Sequence, residues 1–153
     1  MKDEPDTPVE LRARALRLLA RREHSRAELE RKLGPHAGSP EVIAGVVEAL
    51  VQKKQLSDER YAQERARSMS RKYGAARIRH DLKAKGVDPE LIERASANCG
   101  AEGELERARA ILERKYREPA ATRDERAKRM RFLQGRGFSS DVIRILLSSR
   151  DAE

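Results

Sequence analysis

Apolar residues recur at steps of three and four along most of the chain. Leu11, Ala15, Leu18 and Leu19 come first, then Leu29 and Leu33, then Val42, Ile43, Val46, Val47 and Leu50. That period turns one stripe inward on a helix, and it predicts a first helix over about 9–22 and two more before residue 51. Polar punctuation separates them. Ser25 and Glu28 have the spacing of a capping box, Gly34-Pro35 stops the second helix, and Ser39-Pro40 supplies an N-cap and first-turn proline for the third. The plan then repeats. Ser57 caps a stripe of Ala62, Ala66 and Met69, Gly74 breaks it, and Ile78 with Leu82 fall on the inner face of the next helix, which ends at Gly86 before Asp88-Pro89 opens another. A third round has Leu105, Ala108 and Leu112, a Thr122 to Glu125 capping box, Met130 and Leu133 inward, then Gly137 and Ser139. No segment alternates apolar and polar residues with enough β-branched character to be a strand.

One phrase marks the period. "KGVDPELI" (85–92) and "RGFSSDVI" (136–143) are near copies, "GSPEVI" (38–43) is a looser one, and Ile43, Ile92 and Ile143 stand 49 and 51 residues apart. The predicted fold is all-α, three tandem three-helix repeats forming an elongated, curved array. An acidic tail (1–10) precedes repeats over 11–58, 59–98 and 99–149, and residues 150–153 form a short C-terminal tail. Units this small are expected to need their neighbours to complete a core.

Composition restricts the picture further. Leu, Ile, Val and Phe number only 30 of 153 residues while 39% are charged, which suits thin amphipathic helices rather than a thick core. No run of about 18 apolar residues and no apolar leader block occurs, so the expected location is the cytosol. Cys99 has no cysteine to pair with. The net charge of +8 divides as −3 over residues 1–10 and +4, +4 and +3 over 11–58, 59–98 and 99–153. Each repeat is basic on its own, which points to a long negative partner.

Catalytic patterns are missing. There is no phosphate loop, no His-Glu-x-x-His and no cysteine pair, and His24, His36 and His80 are scattered as surface residues would be. No enzyme activity, metal or cofactor is expected. What stands out is arginine in stripes. Arg14, Arg17 and Arg21 share a face of the first helix. Arg71, Lys72, Arg77, Arg79, Lys83 and Lys85 crowd the middle unit, and Arg123, Arg126, Lys128, Arg129, Arg131 and Arg136 the last. Corresponding helices of stacked repeats line one side, so these residues are expected to form a basic track. A helix-turn-helix reader would instead need basic third helices, and here residues 39–51 and 88–98 each net −2 and 139–149 net zero.

"RREHSRAELERKL" (21–33), "LSDERYAQERARSMSRKYGAARIRHDLKAKGV" (56–87) and "RFLQGRGFSSDVI" (131–143) together resemble the bacterial RecX family over about 11–149. The resemblance implies three tandem three-helix repeats and a regulator of the RecA recombinase. Such a protein lies in the helical groove of the RecA–single-stranded DNA filament and hinders its extension, ATP hydrolysis and strand exchange. Gly74-Ala75 stands where the family often has Gly-Pro. The partners so implied are the RecA filament, with single- and double-stranded DNA beside it, and the expected state is a monomer away from membranes. Two other readings use the same residues: a helical-repeat protein binding single-stranded nucleic acid directly, and an adaptor for some other acidic protein.

Overall fold

The computed structural model describes residues 4–97 and 101–148. Cys99, the boundary between the second and third predicted repeats and the tail 150–153 lie outside the described residues. Within them are nine α-helices and no strand: α1 (Pro8–Arg21), α2 (Arg26–Leu33), α3 (Pro40–Gln52), α4 (Asp58–Met69), α5 (Ala75–Ala84), α6 (Pro89–Ala97), α7 (Ala101–Lys115), α8 (Arg123–Gly135) and α9 (Ser140–Ser148). A short 3-10 turn, Gly34–His36, follows α2.

The capping chemistry sets the helix starts. Ser25, Ser39 and Ser57 each accept the N–H three residues on. The two predicted capping boxes close differently from the expected pattern. Glu28 turns its carboxylate to Arg22, at 2.9 and 3.2 Å, and Glu125 reaches past Thr122 to the N–H of Ala121 at 2.7 Å. A full box is found instead at Thr7 and Glu10, one turn earlier than the apolar stripe announces.

Three separate apolar clusters form, one per repeat. The first has Leu11, Ala15, Leu29, Leu33, Val46, Val47, Leu50 and Leu56. The second is built on Tyr61, Ala62, Ile78, Leu82 and Ile92, and the third on Ala108, Leu112, Leu133, Phe138, Ile143 and Leu146. The major helix packings, such as α1 on α3, α4 on α6 and α7 on α9, all stay inside one repeat. This corrects the expectation that neighbours complete each other's core. Each three-helix unit closes its own, and the joints between units are polar.

The joints follow one plan. Lys85 and Arg136 end α5 and α8, each followed by a glycine at positive φ, Gly86 at 79° and Gly137 at 89°. The Lys85 carbonyl accepts the hydroxyl of Ser25, the N-cap of α2, at 2.8 Å. The Arg136 carbonyl accepts the N–H of Gly74, the N-cap of α5, at 2.7 Å. An acid from the next repeat's first helix takes the first helical N–H beside each cap. Asp58 accepts from Arg26 at 2.7 Å, and Glu104 from Ala75 at 3.4 Å. α2, α5 and α8 therefore run end to end, the carbonyl end of one against the amide end of the previous one, where orphan groups and helix dipoles complement each other. A proline at position 75 would have no N–H for Glu104, so Ala75 adds a bond. Gly74 is compelled by space, because a Cβ there would sit 2.4 Å from the Gly137 carbonyl oxygen.

At the first repeat the donor comes from the leading segment of the chain. His36 occupies the position of Lys85 and Arg136, and its carbonyl accepts the N–H of Asp6 at 2.8 Å. Asp6 is buried and pairs with Arg14 at 2.9 Å. The acidic segment thus folds against the end of the first repeat's second helix.

Three side chains depart from the sequence reading. His24 is buried, not a surface histidine: its Nδ1–H donates to the Arg22 carbonyl at 3.0 Å and Nε2 accepts from Lys32 at 3.1 Å. Arg129 is inward and Met130 outward, the reverse of expectation, with Arg129 6% and Met130 40% exposed. Arg129 precedes Gly137 by eight residues as Ile78 precedes Gly86, so it occupies an apolar core position. Its guanidinium lies 4.6 Å from the Tyr116 ring centre, and Nε and Nη1 have no hydrogen-bond partner among the described residues.

Three outcomes follow from this packing. Burial, reinforced by the charges of Arg22 and Lys32, holds the His24 pKa below its ordinary 6.5, against the pull of the Arg22 carbonyl and Glu28. The folded state resists a proton that the unfolded chain accepts, so the His24 contribution is present above 6.5 and is lost as pH falls from there through the lower folded-state pKa. Urea melts at about pH 7 and about pH 5.5 should differ more for the wild type than for His24→Gln. Gly137→Ala combines the positive φ with a Cβ 2.4 Å from that of Arg77, whereas a Cβ at Gly34 meets nothing within 4 Å. The first should cost about 2–4 kcal/mol and Gly34→Ala almost nothing, read from denaturant midpoints. Arg129→Met should be neutral or up to about 2 kcal/mol stabilising, since it removes a buried charge with unmet donors. A clear fall in melting temperature would show that stacking on Tyr116 outweighs that burial.

Candidate binding surface

The fifteen basic residues singled out by the sequence fall in different surroundings. Arg17, Arg21, Arg71, Lys72, Arg77, Arg79, Lys83, Arg123, Lys128 and Arg131 are exposed; Arg14, Lys85, Arg126 and Arg136 are half-buried, and Arg129 is buried. Arg14 is held by Asp6. The repeat register also shows where the basic side is interrupted. Counting from the joint glycines, Arg77 of α5 matches Lys128 of α8, but Arg79 and Lys83 match Met130 and Gln134, and in α2 the places of Arg77 and Arg79 are held by Glu28 and Glu30. A uniform stripe along all three second helices does not form.

The structure gathers cations at the second joint instead. The turn after α4 (Arg71, Lys72, Tyr73), the last turns of α7 (Ile111, Arg114, Lys115) and the end of α8 (Phe132, Arg136) surround an open cleft of about 430 Å³. Arg114 and Lys115 were not among the sequence candidates, because nothing in a linear reading places the end of α7 beside the end of α4. The cations are ordered by rings. Arg77 and Arg136 lie 5.0 and 5.4 Å from the Tyr73 centroid; Arg136 and Lys115 lie 5.2 and 4.2 Å from that of Phe132. Tyr116 meets Phe132 edge-on at 6.0 Å. Backbone oxygens fix two of the guanidiniums, Arg77 on Gly135 at 3.0 Å and Arg136 on Lys72 at 3.4 Å. These residues form part of the joint as well as its surface.

The equivalent cleft at the first joint, about 300 Å³, is built from the end of α1, from α4 and from Lys85, with Arg22, Glu23, Glu28, Tyr61, Glu64 and Arg65 in its lining. Several of its charges are paired. Arg22 grips Glu28 at 2.9 Å, Arg65 reaches Asp81 at 3.0 Å and Arg60 reaches Glu23 at 2.9 Å. Although burial opposes it, the hydrogen bonds and charge of Arg22 hold the Glu28 pKa below its ordinary value, and the Arg22 pKa is raised chiefly by the same hydrogen bond. Among the described residues no group of three or more His, Cys, Asp or Glu could hold a metal ion, and no helix is long and apolar enough to cross a membrane.

Comparison with known proteins agrees with the three-unit architecture. Family models described as "RecX, first three-helix domain", "RecX, second three-helix domain" and "RecX, third three-helix domain" match residues 12–50, 57–95 and 102–147. The chain is 43% identical over 145 residues to a protein named regulatory protein RecX from Leptothrix cholodnii, covering 95% of this chain and 92% of that one. It is 44% identical over 140 residues to that of Herbaspirillum seropedicae, covering 92% and 90%. The crystal structure of RecX from Lactobacillus salivarius shares the fold, with a TM-score of 0.82 at 23% identity, over 95% of this chain and 97% of that one. With repeats, joints and relatives in agreement, the chain belongs to the RecX family of regulatory proteins.

Proposed function

We propose that this chain regulates the RecA recombinase by lying in the helical groove of the RecA–single-stranded DNA filament, where it hinders extension, ATP hydrolysis and strand exchange. The observation that carries this reading is the end-to-end row of α2, α5 and α8. Three self-contained units in series can meet successive protomers of a filament, and modest contacts per unit then add through effective concentration. The exposed cations Arg17, Arg21, Arg79, Lys83, Lys128 and Arg131 supply charge toward acidic groups of the filament. In this reading the protein works as a cytosolic monomer and has no turnover of its own. A second reading, direct binding of single-stranded nucleic acid, is favoured by one specific feature, the acid-free cleft at the second joint.

The test leaves the joint intact by avoiding Arg77 and Arg136. Arg79→Glu, Lys83→Glu and Arg131→Glu together should change stability by only about half a kcal/mol each, with helicity preserved. Inhibition of RecA's DNA-dependent ATP hydrolysis should weaken at least about tenfold and depend less on salt. Full inhibition by the folded variant would remove these residues from the contact.

A further inference from the structure

Among the described residues three large apolar side chains stand out of the surface: Val9 is 80%, Ile145 49% and Met130 40% exposed. Two of them line open apolar grooves of nearly equal size. Val9 with Val42, Gly45 and Ala49 borders one of about 370 Å³ between α1 and α3. Met130 with Ile143 and Leu147 borders one of about 380 Å³ between α8 and α9. The repeat register shows that both depart from the common plan. Gly45 stands where the second repeat has Arg94, which crosses from α6 to Glu59 of α4 at 3.8 Å. Met130 stands where the first repeat has Glu30, which shares Arg26 with Glu48 of α3, at 3.1 and 3.4 Å. Ion pairs thus close in one repeat the groove that another leaves open and apolar.

We infer that these two unlike grooves are the halves of a contact between copies of this chain, the α1/α3 face of one copy meeting the α8/α9 face of the next. The inference goes beyond the proposed action at RecA and does not depend on it. Charge selects a second copy as the occupant. Arg126 and Arg144 rim the α8/α9 groove, and α8 as a whole nets +3, five cations against Asp124 and Glu125. Two such faces repel each other. α3 is the complement, with Glu41 and Glu48 and no cation, and Glu41 at the groove rim is exposed without an ion pair among the described residues. The opposite sign for Arg12, on the α1 side, is supplied by Asp141, which pairs with Arg144 at 2.6 Å. Shape agrees with charge. A Cβ at Gly45 would meet nothing within 4 Å, so the floor of the α1/α3 groove is open, and Met130 is a flexible side chain able to enter it. Because the faces differ, each copy that joins still offers a free groove, and the contact propagates as an open row rather than closing as a dimer. Each groove is lined by eight residues, against roughly 20–30 a side in a stable interface. The free chain is therefore a monomer in dilute solution, and copies join where they are held close together.

Gly45→Arg and Met130→Glu test the contact, because each installs the residue that another repeat already carries at that place, and both positions are exposed. Sedimentation of the full chain would be followed from about 10 µM to about 1 mM at about 50 mM salt, where charge attraction is little screened. The wild type should be monomeric at the lower end and form species larger than a dimer at the upper end. Either variant should keep its circular dichroism and associate at least about tenfold more weakly. Mixed, the two variants should associate again and stop at a one-to-one pair, because the first keeps its α8/α9 groove and the second its α1/α3 groove. A wild type that stays monomeric throughout overturns the inference. Association that survives in either variant, or that the mixture does not recover, overturns the pairing of unlike faces. Inhibition of RecA's ATP hydrolysis is measured in parallel. A monomeric wild type whose inhibition both variants lose would give the grooves to the filament instead. Self-association without any effect on RecA leaves the inference standing and removes the filament reading.

Discussion

A helix leaves its last carbonyls and first amides without partners, and in this protein each repeat answers that requirement with its neighbour. The carbonyls of His36, Lys85 and Arg136 are equivalent, and each receives a donor from the segment before it: the Asp6 N–H, the Ser25 hydroxyl and the Gly74 N–H. Several other features depend on this bond. Gly86 and Gly137 take positive φ so that the chain can turn away and leave the carbonyl end open to that donor. Gly74 lacks a Cβ because the Gly137 backbone occupies that space. Asp58 and Glu104 stand where they accept the adjacent N–H. At the first repeat the acidic leading segment completes the series.

Polar joints between self-sufficient cores have a mechanical consequence. The burial that stabilises each unit stays within it, so neighbouring units are held by a few hydrogen bonds and ion pairs rather than by a continuous apolar layer. In the proposed role at a helical filament, relative adjustments of the units would disturb no core. It also places ionisable side chains at the joints, where their pairing state becomes available for binding. At the first joint pairing is internal, and at the second it is left open.

Arg129 illustrates how a core position and a charge can coincide. The repeat register assigns it the place of Ile78, and it is buried there with its guanidinium over Tyr116. The aromatic face explains how the charge is accommodated, and the neighbouring Lys115 and Arg136 use Phe132 in the same way. Around Lys115, Arg129 and Arg136 of the third repeat, rings rather than carboxylates face the charge.

The sequence by itself determined the helices, their order and their threefold repetition, because apolar period, caps and positive-φ glycines are local properties that short-range physics enforces. It also held a signal that simple stripe counting passed over: measured back from Gly137, Arg129 rather than Met130 takes the inward place. The tertiary structure alone decided which charges meet. Whether Arg60 reaches Glu23 and whether Arg114 and Lys115 join Arg71 around one cleft depends on helix ends brought together across tens of residues. Closed cores and polar joints were likewise invisible in the period, since an inward stripe does not say whether it faces its own unit or the next. Side-chain electrostatics acts through space, and no spacing along the chain encodes it.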